Sequence, residues 1–450
     1  METKGFDELF ALLHANQLAQ LRNRLCEMNV VDIAELLEEN EPEKMMLIFR
    51  ILPKDISADV FAYLDSDNQT HIVNAATDRE LTSLVEDLYL DDAVDFLEEV
   101  PANVVKRVLA HTDSETRALI NSFLQYPDNS AGSIMTIEMV ELHDRLTVDE
   151  AIKVIRETGV DKETIYTCYC INDNRKLIGT IPLRRLILSK GTDKVRDIMD
   201  DDEQLIYVNT LEDQEEVADI ARKYDLLSVP VVDNEKMLVG IITIDDIVDI
   251  IEEENTEDLE KMALLHPSDN EYLKTGVFAL AKNRIIWLLI LMVSATFTGK
   301  IIENYENMLS AIAGLTACIP MLMDTGGNSG NQTSTLVIRG LALGEIEIKD
   351  YFKVLWKEFR VSLICGGILA LANIARMYVV GSAGGLTVFL VVSGAMFFAV
   401  VVAKAIGCTL PILAKLVHLD PALMAGPMIT TIVDAITLII YFALASMFLL

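Results

Sequence analysis

The chain has 450 residues, with 69 Asp or Glu against 37 Lys or Arg and a formal net charge of −32. The excess is uneven: from Asn283 onward 10 basic residues face 9 acidic ones, so residues 1–282 hold 27 against 60, a net of −33. So acidic a front half repels nucleic acid and anionic lipid and attracts cations, while the apolar back half, rich in Gly, Ala and Ser, reads as a membrane tail.

The N-terminal METKGFDELF has early acids and no long apolar core, so no secretory signal is expected. Residues 1–130 keep helical periodicity: LVEDLYLDDAVDFLEEV sets Leu84, Leu88, Ala93, Val94 and Leu97 near one face and acids on the other. Pro53, Pro101 and runs such as LDSDNQ punctuate segments of helical-hairpin length. That pattern predicts an all-α domain, a superhelical stack of short helices. Six cysteines (26, 168, 170, 318, 365 and 408) lack metal or redox spacing, and Cys168-x-Cys170 fits a strand. They indicate a reducing compartment.

Residues 131–252 contain an internal repeat. SIMTIEMVELHDRLTVDEAIKVI recurs loosely as DIMDDDEQLIYVNTLEDQEEVADI, with Met135 answering Met199. YTCYCINDNRKLIGTIPLRRLI recurs as LLSVPVVDNEKMLVGIITIDDIV, with Gly179 answering Gly240. Each copy reads helix, strand, turn, strand, helix. The pattern resembles a pair of CBS modules, which implies an α/β regulatory domain. Many such pairs bind adenine nucleotides through a Thr and an Asp in the strand ending. Thr243 and Asp246 match in the second copy, whereas the first departs from the pattern with Pro182 and Arg185; an adenine nucleotide at the CBS pair therefore stays open.

Residues 253–282 are charged, then amphipathic, and predict a connector helix reaching the bilayer. Five membrane spans follow, about 284–304, 309–340, 359–380, 384–416 and 422–449. Arg284, Arg339, Lys349, Lys353, Lys357, Arg360 and Lys415 fall on one side if the head is cytoplasmic. The opposite loops are the acidic ENYEN and the nearly uncharged GSAGG. An odd number of spans leaves the C-terminus outside.

The second span is interrupted by MDTGGNSGNQTST at 323–335. No Lys follows Gly330, so this is not a phosphate-binding P-loop. Gly lets helices or hydrated ions approach backbone, and Asn and Gln supply amide groups. Both packing between helices and the wall of a polar pore fit those residue types, and Pro320 can kink the span ahead of them. The last span, apolar except for Thr, Tyr, Ser and Asp434, favours the pore. A carboxylate near mid-membrane costs about 2.5–3.5 kcal/mol on insertion scales and persists where it faces a bundle interior. Lys404 in the fourth span offers a structural alternative as its ion-pair partner.

TGGNSGNQ at 325–332, the CBS pair, the acidic helical front and the five-span tail with Pro427 seven residues before Asp434 together resemble the MgtE-type magnesium transporters. The resemblance implies a homodimeric, multi-pass Mg²⁺ channel of the cell membrane, with a pore between subunits lined by spans two and five. Asp434 is then the pore carboxylate, with Asn328 and Asn331 near it and Gly327 and Asp324 on the same pathway. Gly426 stands where many relatives carry Asn, and Asp324 where a small neutral residue is expected.

Mg²⁺ keeps several waters and is held by one or two carboxylates, which suits Asp434 and amide oxygens. No paired His or Cys at ligand spacing points to Zn²⁺ or Cu⁺; Mn²⁺, Co²⁺ and Ni²⁺ stay open. The acidic head is expected to sense intracellular Mg²⁺ through Asp91 and Asp95, through Asp225, Asp246 and Asp249, and through Glu254, Glu257 and Asp258. Asp420 would share an ion with the connector through Glu257. The resemblance suggests these bridging positions; spacing shows only that Asp246 and Asp249 share a helical face, as do Glu254, Glu257 and Asp258. A proton- or sodium-coupled divalent-cation carrier and a membrane-anchored CBS sensor are the alternatives. No nucleophile–base motif or phosphate loop points to an enzyme.

Overall fold

The computed structural model describes residues 6–449 apart from 16, 201–204, 268–271, 274, 313 and 381–384. The loop expected at GSAGG therefore lies largely outside the described residues, as does part of the connector. The chain divides into two compact units at Glu252 and Glu253.

In the first unit, ten helices, α1 to α10, fill Phe6–Phe123. Their limits follow local chemistry. Thr77 and Glu80 form a capping box at the start of α7 (Asp78–Asp87), and Pro53 and Pro101 precede two other helices. The stretch LVEDLYLDDAVDFLEEV is not one helix. It breaks at Leu88 and Tyr89, where extended backbone separates α7 from α8 (Leu90–Glu99). The break turns Asp91 inward, with 8% exposure, in the first turn of α8.

Two three-stranded sheets follow. The first joins β1 (Glu141–His143), β2 (Thr167–Ile171) and β3 (Leu177–Pro182), with α11 (Val148–Thr158) between β1 and β2 and α12 (Leu183–Leu188) after β3. After α13 (Val195–Ile198), the second repeats this order: β4 (Val208–Asn209), α14 (Gln214–Tyr224), β5 (Ser228–Val232), β6 (Leu238–Thr243) and α15 (Ile244–Met262). In each, the first pair is parallel and the second antiparallel, with Cys168 opposite Ile181 and Val229 opposite Ile242. The short first strands escaped the sequence pattern because two or three residues show no alternation. The repeats also exchange their leading segments. A Cβ on Gly240 would stand 2.8 Å from Met135 Sδ, and one on Gly179 equally close to Met199 Sδ, so each copy's methionine fills the other copy's glycine gap. One apolar core runs from Leu21 through Leu97 to Val217, Val229 and Ile247, packing the helical stack against the second CBS copy. That packing sets α8 beside the start of α15.

The second unit holds the end of α15, then α16 (Val277–Asn304), α17 (Glu306–Ala311), α18 (Leu315–Ala342), α19 (Tyr351–Val380), α20 (Gly385–Leu416) and α21 (Gly426–Leu449). The 253–282 connector is not one helix: α15 ends at Met262 and α16 starts at Val277. Among the described residues, four helical segments, 277–304, 348–380, 385–416 and 421–449, are long and apolar enough to cross a membrane. The segment at 309–340 divides at Ile312 and Gly314 into α17 and α18, and the polar string keeps α18 from joining the four. The large apolar side chains of α16, Ile285, Leu288 and Phe297 among them, are exposed, as on a helix that faces lipid. Helices α18, α20 and α21 bury Leu322, Val392 and Phe442 between them, and Tyr441 donates to Leu315 O at 2.9 Å.

Candidate functional site: two carboxylate centres

In the first unit, α8 and α15 bring Asp91 and Asp246 to Glu163, which precedes β2. Their carboxylate oxygens lie within 4.8 Å of one another. Asp246 accepts from Thr243 Oγ1 at 2.6 Å and from Thr243 N at 3.3 Å. Asp91 accepts from Asp92 N at 3.0 Å, and Glu163 Oε2 is buried with no hydrogen-bond partner. Burial raises the Asp91 pKa well above the usual carboxylate range, and the charges of Glu163, Asp92 and Asp246 add to the rise. Burial, with Asp246 next in size, lifts Glu163 to about 7. Asp95 rises to about 7 through burial and then Asp92, and Asp92 to about 6 through burial and then Asp246. Hard oxygen donors, an orphaned buried oxygen and crowded negative charge fit a Mg²⁺-class cation. Asp95, Asp225 and Asp249 stand outside this grouping; Asp225 is an exposed left-handed cap of α14 with φ 53°. Sequence reasoning missed Glu163, which sits in the irregular DKETIY stretch with no periodicity to mark it.

In the second unit, Glu257 and Asp420 do come together, but around a side-chain cation. Lys261 Nζ lies 2.9 Å from Glu257 Oε2 and 2.8 Å from Asp420 Oδ2. Lys261 thus lies between the two carboxylates that the sequence pairs across an ion. Burial lowers the Lys261 pKa, but its hydrogen bonds to Asp420 and Glu257 outweigh this and hold it above the usual value. Asp258 rises to about 6 through burial and the Asp420 charge. Glu254 lies on the same helix, α15. One turn beyond Asp420, Gly426 begins α21 with φ +51°, and a Cβ there would stand 2.5 Å from Met262 O at the end of α15.

The pore candidates lie on α18 and α21. A Cβ on Gly327 would stand 2.6 Å from Thr430 Cγ2 and 3.6 Å from Asp434 Oδ1, so the glycine is what lets α21 present Asp434 at this face. Gly330 likewise admits Ile429. Asp434 is half-buried, and its Oδ1 has no hydrogen-bond partner. Asn328 Nδ2 donates to Asp324 Oδ1 at 2.9 Å. Asn331 is engaged elsewhere: its Oδ1 accepts from Gly426 N at 2.9 Å, while Ser334 Oγ donates to Met424 O at 3.0 Å. Asn331 thus fastens α18 to the start of α21, while Asn328 is exposed beside Asp324. Lys404 is not the partner of Asp434. It donates to Thr333 Oγ1 at 3.0 Å and pairs with Glu358 Oε2 at 3.5 Å, with side-chain exposures of 8% and 14%. Thr333 Oγ1 in turn donates to Glu358 Oε2 at 2.8 Å.

Residues 319–444 match a family model described as a divalent cation transporter, residues 28–129 the MgtE intracellular N domain, and residues 195–253 a CBS domain. A helical head of the MgtE N-domain type and a CBS pair, joined to a membrane unit that matches divalent cation transporters, define the class. The magnesium transporter MgtE of Thermus thermophilus is 34% identical over 453 residues, covering 100% of this chain and 99% of the relative. That of Bacillus subtilis is 30% identical over 452 residues, covering 100% and 99%. The chain belongs to the MgtE family of magnesium transporters. Its first unit is also similar to two solved structures. The soluble part of a magnesium transporter gives a TM-score of 0.53 at 29% identity over 55% of this chain and 97% of that one. The cytosolic domain of the Mg²⁺ channel MgtE in complex with ATP gives 0.51 at 34% identity over 54% and 98%.

Proposed function

We propose that the chain is a Mg²⁺ channel whose pathway runs past Asp434 and whose opening is set by Mg²⁺ on the cytoplasmic head. The observation that carries the pathway is the unpaired Asp434 Oδ1 facing Gly327 between α18 and α21. A lone carboxylate with amides and glycine nearby holds a hydrated ion through its waters and can release it. One such carboxylate per chain makes a poor ion path alone, so two copies would share the pore. Asp324 and Asn328 lie on the same helix, one turn apart, and would meet the hydrated ion beside it.

Asp91, Glu163 and Asp246 would hold the regulatory ion, with Asp95 and Asp92 adding field. Without it, their mutual repulsion pushes α8 from the start of α15. With it, the charges are cancelled and the segments draw together. Helix α15 carries Asp246 near its first turn and Lys261 and Met262 at its end, so it would be the element that couples the regulatory ion to the membrane unit. Moving a gate from 1:99 to 99:1 needs about 5.5 kcal/mol of differential binding. One site occupied only in the closed state supplies about 1.4 kcal/mol at tenfold excess over its Kd. About four such sites, with Asp225, Asp249, Glu254 and Asp258 contributing, would therefore close the gate steeply.

The four-part division at 130, 252 and 282, with the head inside and the C-terminus outside, follows from the same reading. Thr243 and Asp246 are the residues that would take an adenine nucleotide in the second CBS copy. Arg185 of the first copy is instead tied to Asp200 and Ile198 O. The test is Mg²⁺ uptake into proteoliposomes with and without an imposed pH gradient. Uptake independent of the gradient, abolished in Asp434→Ala, supports the channel; uptake that requires the gradient identifies a coupled carrier.

A further inference from the structure

The membrane end of α19 repeats one pair of residue types three times: Phe352–Lys353, Trp356–Lys357 and Phe359–Arg360. The spacing of four and three residues keeps the aromatics on one face and the cations on the neighbouring face. Phe352, Trp356 and Phe359 are 77%, 59% and 40% exposed, and the Trp356 and Phe359 rings stack at 5.6 Å. With Leu355 of α19 and Val401 and Ala405 of α20 they line a groove of about 390 Å³, and none of these side chains carries a charge. Lys353 is tied to Asp350 at 2.6 Å. Lys357 and Arg360 are exposed and have neither an ion-pair nor a hydrogen-bond partner among the described residues.

We propose that this groove binds an anionic glycerophospholipid, one acyl chain lying along Phe352, Trp356 and Phe359 and the headgroup phosphate held by Lys357 and Arg360. The apolar lining fits hydrocarbon, and aromatic side chains collect at the depth where acyl chain gives way to headgroup. Basic positions between spans on the cytoplasmic side recognise anionic headgroups, and Arg offers a phosphate two parallel donors. Charge chooses lipid over a second copy of the chain. An isologous contact centred here would set the same patch against itself, bringing the exposed Lys357 and Arg360 of both copies together.

The chain has two tryptophans, so Trp287→Phe leaves Trp356 as the sole reporter. The full-length Trp287→Phe protein is reconstituted into phosphatidylcholine vesicles containing brominated phosphatidylglycerol or, in parallel, brominated phosphatidylcholine at equal mole fraction. The expected result is stronger quenching of Trp356 by the anionic lipid, with a relative association constant up to ~30-fold higher for two cations. Adding Lys357→Gln and Arg360→Gln should bring the two lipids to equal quenching while the phosphatidylcholine value stays the same. Equal quenching by both lipids with Lys357 and Arg360 in place would overturn the proposal. So would Trp356 shielded from both, which would assign the groove to a second copy.

Discussion

In the head, Asp91, Glu163 and Asp246 bring carboxylate oxygens within 4.8 Å of one another, whereas in the membrane unit Asp434 of α21 faces Gly327 of α18. Three converging carboxylates favour direct capture of a cation and a long stay. One carboxylate among amides favours contact through water and quick release, since conduction needs binding weak enough to leave. In both centres a buried oxygen lacks a protein partner, Glu163 Oε2 in one and Asp434 Oδ1 in the other. The proposed sensor and the proposed path thus differ in whether carboxylate oxygens of one chain converge on a point.

The sharpest break comes from Asp434→Ala. Mg²⁺ uptake should fall to that of empty vesicles while the protein still inserts and elutes as wild type. Proteoliposome uptake at wild-type rate from that variant would move the path away from α21. The same change should leave Mg²⁺ protection of the head against proteolysis intact, because the two centres share no ligand.

A second variant asks whether the membrane unit's other buried charges belong to structure. Lys404→Met leaves the largely buried Glu358 with its Thr333 hydrogen bond but no cation, and breaking a buried pair costs about 3–5 kcal/mol, whereas replacing both partners with neutral groups is often near neutral. Thermal loss of monodispersity should therefore come much earlier in Lys404→Met and largely recover in Lys404→Met with Glu358→Gln. Equal damage in the single and double variants would show that the ion pair is not what holds α18, α19 and α20.

Much of this contrast was legible in the sequence, and the misses have physical causes. The 3.6-residue period marked the head as helical, and Met135, Met199, Gly179 and Gly240 marked the repeat. Periodicity could not show that Met135 fills the gap at Gly240 across copies, because that is a long-range packing choice. Asp91 and Asp246 were found by resemblance, but Glu163 lies in a loop, where no spacing rule applies. That Lys404 pairs with Glu358 and not with Asp434 is not readable from the sequence, because sequence separation says nothing about which helix faces which. Lys261 was overlooked for a simpler reason: an i, i+4 lysine after Glu257 reads as a surface pair until Asp420 arrives from the other side.

Gly426 tests the junction between the connector and α21. Its left-handed backbone costs a residue with a Cβ about 1–2 kcal/mol, and the Cβ would also overlap Met262 O. Gly426→Ala should loosen the end of α15 and speed protease cleavage between 263 and 276. Asn tolerates the left-handed region better, so Gly426→Asn isolates the overlap from the backbone strain. Cleavage at the wild-type rate in both would mean that Met262 does not rest on this glycine in solution.

The smallest effect is the pH dependence of the head, and it bears most directly on what its carboxylates do. Asp92 titrates at about 6, and Asp95 and Glu163 at about 7, all raised by burial first. Protonation of such groups stabilises the metal-free fold. That contribution is full below the ordinary carboxylate value and is lost as pH rises through about 6 to about 7. Mg²⁺ needs the charged forms, so its binding releases protons and strengthens over the same window. In the full-length protein, Mg²⁺ should raise the head's protease resistance little at about pH 5.5 and fully at about pH 8. Glu163→Gln removes one of three charges and should cost up to about 1.4 kcal/mol of Mg²⁺-dependent stabilisation at tenfold excess, while slightly stabilising the metal-free head at high pH. Mg²⁺ protection that is flat with pH and unchanged in Glu163→Gln would leave Asp91, Glu163 and Asp246 as no more than a strained acidic interior, and the comparison with Asp434 would fail at its sensor end.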